Sequence, residues 1–283
     1  MSILLALTAA ASWGTSDFLG GLAGRRAGDD SVLSILVVTQ AIGFVPTLLA
    51  ALLVAGEMTS RDVLVGVASG VVGMAGVGAL YRGLRIGKMG VVAPITGAIA
   101  AAIPVVASVL QGELPSALAW TGIALALIAI VLVSSDRVAP ATPTAGALPP
   151  GLIEAIAAGL GFGLIFLLLD LTTPDSGLWP LIVLRGVGTG IVAVAAVVVG
   201  QRLTAPTGTG SILVGVGLFD SLATITYLFA TREGLLAVVA VIASLYPVAT
   251  VVWARAALDE RLARHQQGGL VLALGAVALI GIG

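Results

Sequence analysis

Residues Thr121-Gly122-Ile123-Ala124-Leu125-Ala126-Leu127-Ile128-Ala129 fall on Gly268-Gly269-Leu270-Val271-Leu272-Ala273-Leu274-Gly275-Ala276 when the chain is slid against itself by 147 residues. Apolar sequence matches itself cheaply, so this pair alone proves little. The same shift also lays Arg85 on Arg232, Gly87 on Gly234, Val91-Val92-Ala93 on Val238-Val239-Ala240 and Glu113 on Glu260. Charges and glycines agreeing in one register indicate an internal repeat.

A helix that crosses a bilayer takes about 20 predominantly apolar residues, because its backbone polar groups must be satisfied within the segment. Ten stretches meet that demand: Ile3 to Leu22, Leu33 to Ala55, Val63 to Leu84, Gly87 to Leu110, Ala117 to Ser134, Gly151 to Leu169, Leu178 to Gly200, Ile212 to Ala230, Leu235 to Ala257 and Gly268 to Gly283. Barrel strands would alternate apolar and polar residues, whereas Thr121 to Val133 is continuously apolar. The first span resembles a signal peptide at Thr8-Ala9-Ala10-Ala11-Ser12, but no basic residue precedes it and apolar residues continue to Leu22. It is read as a retained helix. The Pro-rich linker at 136–150 separates residues 1–135 from 151–283, five spans from five. An odd number of spans per copy turns the second copy upside down, which is the inverted-repeat plan of secondary transporters.

Composition supports the same reading. Of 283 residues 59% are apolar and only 10% charged, and the mean hydropathy is +1.16. This excludes a soluble domain. A net charge of −1 without a basic block argues against nucleic acid as a partner. No cysteine and one histidine leave no thiolate or imidazole metal site and no cysteine catalysis.

Trp13-Gly14-Thr15-Ser16-Asp17-Phe18, the Pro-containing fourth and ninth spans, and the turns Gly112-Glu113-Leu114 and Asp259-Glu260-Arg261-Leu262 resemble EamA-domain proteins of the drug/metabolite transporter superfamily. The first of those turns departs from the family pattern by lacking an arginine after Glu113. The resemblance covers essentially the whole chain. It implies an all-α membrane protein of ten helices in two inverted five-helix repeats around a central cavity. Such a protein moves small metabolites such as amino acids, or toxic compounds, commonly outward across a cell membrane, with no cofactor.

Ten basic residues lie in or beside the odd loops (Arg25, Arg26, Arg82, Arg85, Lys88, Arg137, Arg202, Arg255, Arg261, Arg264) and two in or beside the even loops (Arg61, Arg232). The positive-inside rule therefore puts the odd loops in the cytoplasm and both termini outside, although the family more often has its termini inside.

A charge near the bilayer centre must face a cavity or a partner. Asp220 lies midway through the eighth span and Arg185 about two turns into the seventh, within reach of each other. They form either a structural ion pair or the border of a substrate cavity, where Asp220 exchanges its partner for a substrate amine or a coupling proton. In the first repeat Asp17 and Gln40 sit at similar depth and can face one another. Gln40 matches Arg185 when Val37 to Gly43 is laid on Ile182 to Gly188. Trp13, Tyr81, Tyr227 and Tyr246 are candidates for the cavity wall, or for interface anchors. Pro94, Pro104 and Pro247 interrupt the fourth and ninth helices, as static kinks or as flexing points of the gates. Gly66, Gly70, Gly73, Gly76 and Gly78 permit close helix contact. Glu154 and Asp170 lie near span ends, and His265 reads as a solvated side chain.

Enzyme motifs are missing; Gly208-Thr209-Gly210 lacks the Lys-Ser/Thr pair of a phosphate-binding loop. The alternative from another class is an intramembrane enzyme or lipid-handling protein using Asp17, Asp220 and Glu154 as a carboxylate constellation. A passive channel is a third.

Overall fold

The structure, a computed structural model, describes residues 1–27, 32–87, 89–135, 149–258 and 262–283. The linker at 136–148, Lys88 and the Asp259-Glu260-Arg261 turn lie outside the described residues. Every long element is helical: α1 (Ser2–Ala27), α2 (Val32–Leu53), α3 (Ser60–Ile86), α4 (Met89–Leu110), α5 (Ala117–Ser134), α6 (Leu152–Asp170), α7 (Trp179–Val198), α8 (Gly210–Glu233), α9 (Leu236–Ala243), α10 (Tyr246–Leu258) and α11 (Arg264–Ile282). Helices α9 and α10 together make the ninth span, so the described residues contain ten spans. Nine of them are long and apolar enough to cross a membrane by length and composition. The tenth, α1, is diluted by Ser12, Thr15, Ser16 and Asp17.

Three of the five helix pairs start 147 residues apart. Val32, Met89 and Ala117 open α2, α4 and α5, and Trp179, Leu236 and Arg264 open α7, α9 and α11. In that register Arg185 corresponds to Val38, and Gln40 to Val187. The packing of α2 and α7 is offset from it by two residues: Gly43 closes on Ser221 as Gly188 closes on Met74, the 147-residue counterpart of Ser221, and this lays Gln40 on Arg185. Packing repeats as well: α1 lies on α8 as α6 lies on α3, α4 lies on α6 as α9 and α10 lie on α1, and α2 lies on α8 as α7 lies on α3.

The seam between α5 and α11 gives the symmetry directly. A Cβ at Gly122 would come within 2.7 Å of Ile280 Cγ1, and a Cβ at Gly269 within 2.8 Å of Val133 Cγ2. Ile280 is the 147-residue counterpart of Val133, and Gly269 of Gly122. Each glycine thus meets the equivalent residue of the other half, the reciprocity a two-fold axis imposes. The absent side chains let two antiparallel backbones close on one another.

Chain ends and loops sort to two faces. On the even-loop face Ser2 lies beside Gly234, Gly283 beside Ser116, and the Glu57 N–H donates to Asp175 O at 2.9 Å. On the odd-loop face Arg82 pairs with Glu154 at 3.2 Å, and Nε2 of His265 donates to Ser135 O at 2.9 Å. His265 is therefore not a solvated side chain; with Gln266 it satisfies carbonyls that α5 leaves open at its end.

The prolines act differently from expectation. Helix α4 runs unbroken through Pro94 and Pro104. Pro104 frees the Ala100 carbonyl, and Gly163 of α6 packs against that oxygen, where a Cβ would stand at 3.0 Å. The ninth span does break, at Ser244 and Leu245 just before Pro247. Among the glycines of α3, Gly66 and Gly70 close on α7, and Gly73 and Gly76 on α6, but Gly78 has no neighbour within 4 Å.

Candidate functional site

One guanidinium organises the middle of the molecule. Arg185 of α7 is 1% exposed. Its Nη1 lies 2.8 Å from Asp220 Oδ2 of α8 and donates to Gln40 Oε1 of α2 at 3.3 Å, while Nη2 donates to Thr224 Oγ1 at 3.3 Å. The buried Nε has no partner among the described residues. Gly43 makes room for the head group: a Cβ there would lie 2.8 Å from Nη1. Ser221 closes the cluster by donating to the Gly43 carbonyl at 2.7 Å. A charge this deep needs such company, since removing it from water is costly.

Asp17 stands apart from that cluster. Gln40 turns its amide to Arg185 and toward Met74 Sδ, so the expected Asp17 and Gln40 pair does not form. Asp17 is exposed and has no hydrogen bond or ion pair to any described residue. Asp17 lies within electrostatic range of Asp220, Tyr81 and Tyr246, candidate residues on three other helices. By helical rise Asp17 and Asp220 both lie about 15 Å from the odd-loop ends of their helices. Asp220 is 34% exposed and Tyr81 43%.

Packing separates the two halves of the molecule. On the even-loop side of Asp17, Trp13 meets Phe166 at 5.5 Å and Tyr227 at 5.7 Å between ring centroids. The Tyr227 hydroxyl donates to Phe166 O at 3.1 Å, and the side chain is wholly buried. Tyr227 is thus a packed plug rather than part of a cavity wall; Trp13, half-buried, rests on it.

The ninth span shows the contrast most plainly. All of α9 but Val238 is buried, whereas α10 has no buried residue. Helix α4 packs on α9, while α10 turns to α1 and α5. Along α1, Gly14 is jammed against the Tyr246 carbonyl, where a Cβ would be 2.3 Å away, but Gly20, Gly21 and Gly24 have no neighbour within 4 Å. Packing along these helices is thus close toward the even loops and loose toward the odd ones.

The even-loop end carries a polar clasp that the sequence reading missed. Asp62 caps α3 through Thr59 and accepts from the backbone and hydroxyl of Thr173, both at 2.8 Å. From the last turn of α8, Arg232 donates to Gly177 O at 2.7 Å and to Thr173 O and Ser176 Oγ at 3.3 Å. Three elements meet there, held by hydrogen bonds to charged groups. Capping motifs at Thr59 and Asp62 were readable locally, but their engagement of a loop 111 residues away was not.

The remaining carboxylates sit elsewhere. Glu154 is held by Arg82, and Glu113 accepts from the Ser108 hydroxyl near Asp170 at the even-loop end. The constellation of Asp17, Asp220 and Glu154 needed for intramembrane chemistry is therefore not assembled. Among the described residues no group of His, Asp or Glu is placed to hold a metal ion.

The family model of the EamA-like transporter family matches residues 1–135 and 149–282. No curated protein matches the chain. Among 28 matching chains of solved structures is a crystal structure of a protein 16% identical to this chain. It covers 99% of this chain and 96% of its own length, with a TM-score of 0.78, a likeness of fold.

Proposed function

The chain belongs to the EamA-like transporter family, and from that premise we propose that it is a secondary transporter working by alternating access, exporting a small solute. The observation that carries the proposal is one-sided packing in a two-fold scaffold. The two halves are equivalent in topology, yet packing is close toward the even loops and loose toward the odd ones, which we read as a cleft with one mouth shut and the other open. A pseudo-symmetric molecule that packs asymmetrically has a second arrangement of comparable contacts, in which the mouths exchange roles. The polar cluster at Arg185 and Asp220 lies at mid-depth, where cargo meets it from either mouth.

With Arg185 set aside, ten of the twelve remaining basic residues lie in or beside the odd loops. The positive-inside rule gives that face to the cytoplasm and the termini to the outside, so the open mouth is the loading side of an exporter. Asp220, the solvated member of its pair, takes up a proton or a cargo amine as the mouths exchange.

The test is counterflow of a solute panel into sealed proteoliposomes, with and without an imposed pH gradient. Saturable, gradient-sensitive flux is expected. Non-saturating conductance would replace the transporter by a channel, and conversion of a solute by the protein in detergent would replace it by an enzyme.

A further inference from the structure

We propose that the cargo is a monovalent organic cation with an apolar body, its charge held at Asp17 and flanked by the rings of Tyr81 and Tyr246. This rests on the transport reading above and names the substrate class for the same cleft.

Charge balance is the first observation. Among the described residues, the charged side chains at the depth of the cleft are Asp17, Asp220 and Arg185. The guanidinium is bound to Asp220 at 2.8 Å and is 1% exposed, so it is withheld from anything entering. Asp17 has no such partner. With Asp17 ionised the set carries one uncompensated negative charge, which an entering cation cancels and an anion doubles. An unpaired charge in a low-dielectric surround recruits its counterion strongly. Arg25, the nearest basic residue along α1, lies about 12 Å further toward the surface by helical rise.

The second observation is the lining. Tyr81 is 43% exposed and Tyr246 half-buried, and both lie within electrostatic range of Asp17. Neither hydroxyl bonds to a described residue, so the rings are not committed to a structural network. Aromatic faces attract cations, and a carboxylate beside two of them matches a substituted ammonium. The floor supplies the apolar half: Trp13, one turn from Asp17, rests on Phe166 and Tyr227. A zwitterion finds no partner here for its carboxylate, because the only cation at this depth among the described residues is sealed behind Asp220 and Gln40.

The test uses the full chain in lipid nanodiscs, titrated calorimetrically with benzyltrimethylammonium, phenylalanine and phenylacetate. Benzyltrimethylammonium is expected to bind saturably, at least tenfold more tightly than either of the others. Asp17→Asn should weaken it tenfold or more, while Asp17→Glu retains it, with equal helicity of all three proteins by circular dichroism. Equal binding by wild type and Asp17→Asn, or phenylacetate binding as tightly as the ammonium, overturns the proposal. If proteoliposomes carry neutral or anionic solutes and the ammonium does not bind, the cation assignment falls and the transport reading survives. If no solute moves although the ammonium binds at Asp17, transport falls and the binding site stands.

Discussion

Arg185 and Asp220 meet at 2.8 Å with very unequal access to solvent: the guanidinium is 1% exposed and the carboxylate 34%. Only one end of the ion pair is available to a proton or a cargo. The other is structural, tied into α2 and α8 by Gln40 and Thr224.

That inequality predicts unequal costs of breaking the pair. Asp220→Ala strands a buried cation, and should lower stability by about 3–5 kcal/mol. Arg185→Met leaves behind a carboxylate that solvent already reaches, and should cost clearly less. Thermal unfolding in detergent of both variants and of the double mutant reads the difference. Equal losses would mean that both charges are equally buried.

Asp220→Asn keeps an acceptor for Arg185 and removes the charge. The protein should fold and insert normally while gradient-coupled uptake into proteoliposomes disappears. Uptake at the wild-type rate would take Asp220 out of the mechanism.

Glycines on the two sides of the cleft should respond oppositely. Gly14→Val drives a side chain into the Tyr246 carbonyl, 2.3 Å from the first added carbon, and should separate α1 from α10. Gly21→Ala meets nothing within 4 Å and should be neutral or stabilise by up to about 1 kcal/mol through helix propensity. Yield of folded protein and melting temperature distinguish them; a well-folded Gly14→Val would show that the crossing is loose.

Two-fold symmetry at the α5 and α11 seam predicts matched penalties. Gly122→Val and Gly269→Val each force a side chain into the other half at similar distance, 2.7 and 2.8 Å. Their melting temperatures should fall together, and a large drop for one alone would refute the reciprocity.

The clasp at the shut end is open to chemical test because the chain contains no cysteine. Leu236→Cys, 1% exposed in α9, should resist a membrane-impermeant maleimide applied from the even-loop face. Adding Arg232→Ala or Asp62→Ala should release the loop at Thr173 to Gly177 and make that cysteine reactive. Continued protection in both double variants would show that the apolar packing alone holds the mouth shut.

Reading the chain from its own residues reached the ten spans and the 147-residue register, since a continuous apolar run of about 20 residues has few alternatives in lipid. It also brought Arg185 within reach of Asp220, because intramembrane charges are rare and helical rise fixes depth. It left Pro104 between a static kink and a flexing point, and a glycine from another helix covers its freed carbonyl; it misjudged His265, whose acceptor Ser135 lies 130 residues away. It left Tyr227 between the cavity wall and a packing or interface role, and its ring partners Trp13 and Phe166, on two other helices, decide for packing.

The amino-acid sequence alone determined how many times the chain crosses the bilayer, that its halves are inverted copies, and which charges lie deep. Each follows from length, periodicity and the cost of burying polar groups, all of them local properties. Only the tertiary structure decided that Gln40 serves Arg185 rather than Asp17, that the ninth span breaks at Ser244, and that packing is close toward the even loops and loose toward the odd ones. Those depend on which of several near-equivalent helix contacts is made, and two halves with one topology leave that choice to packing between residues far apart in the chain.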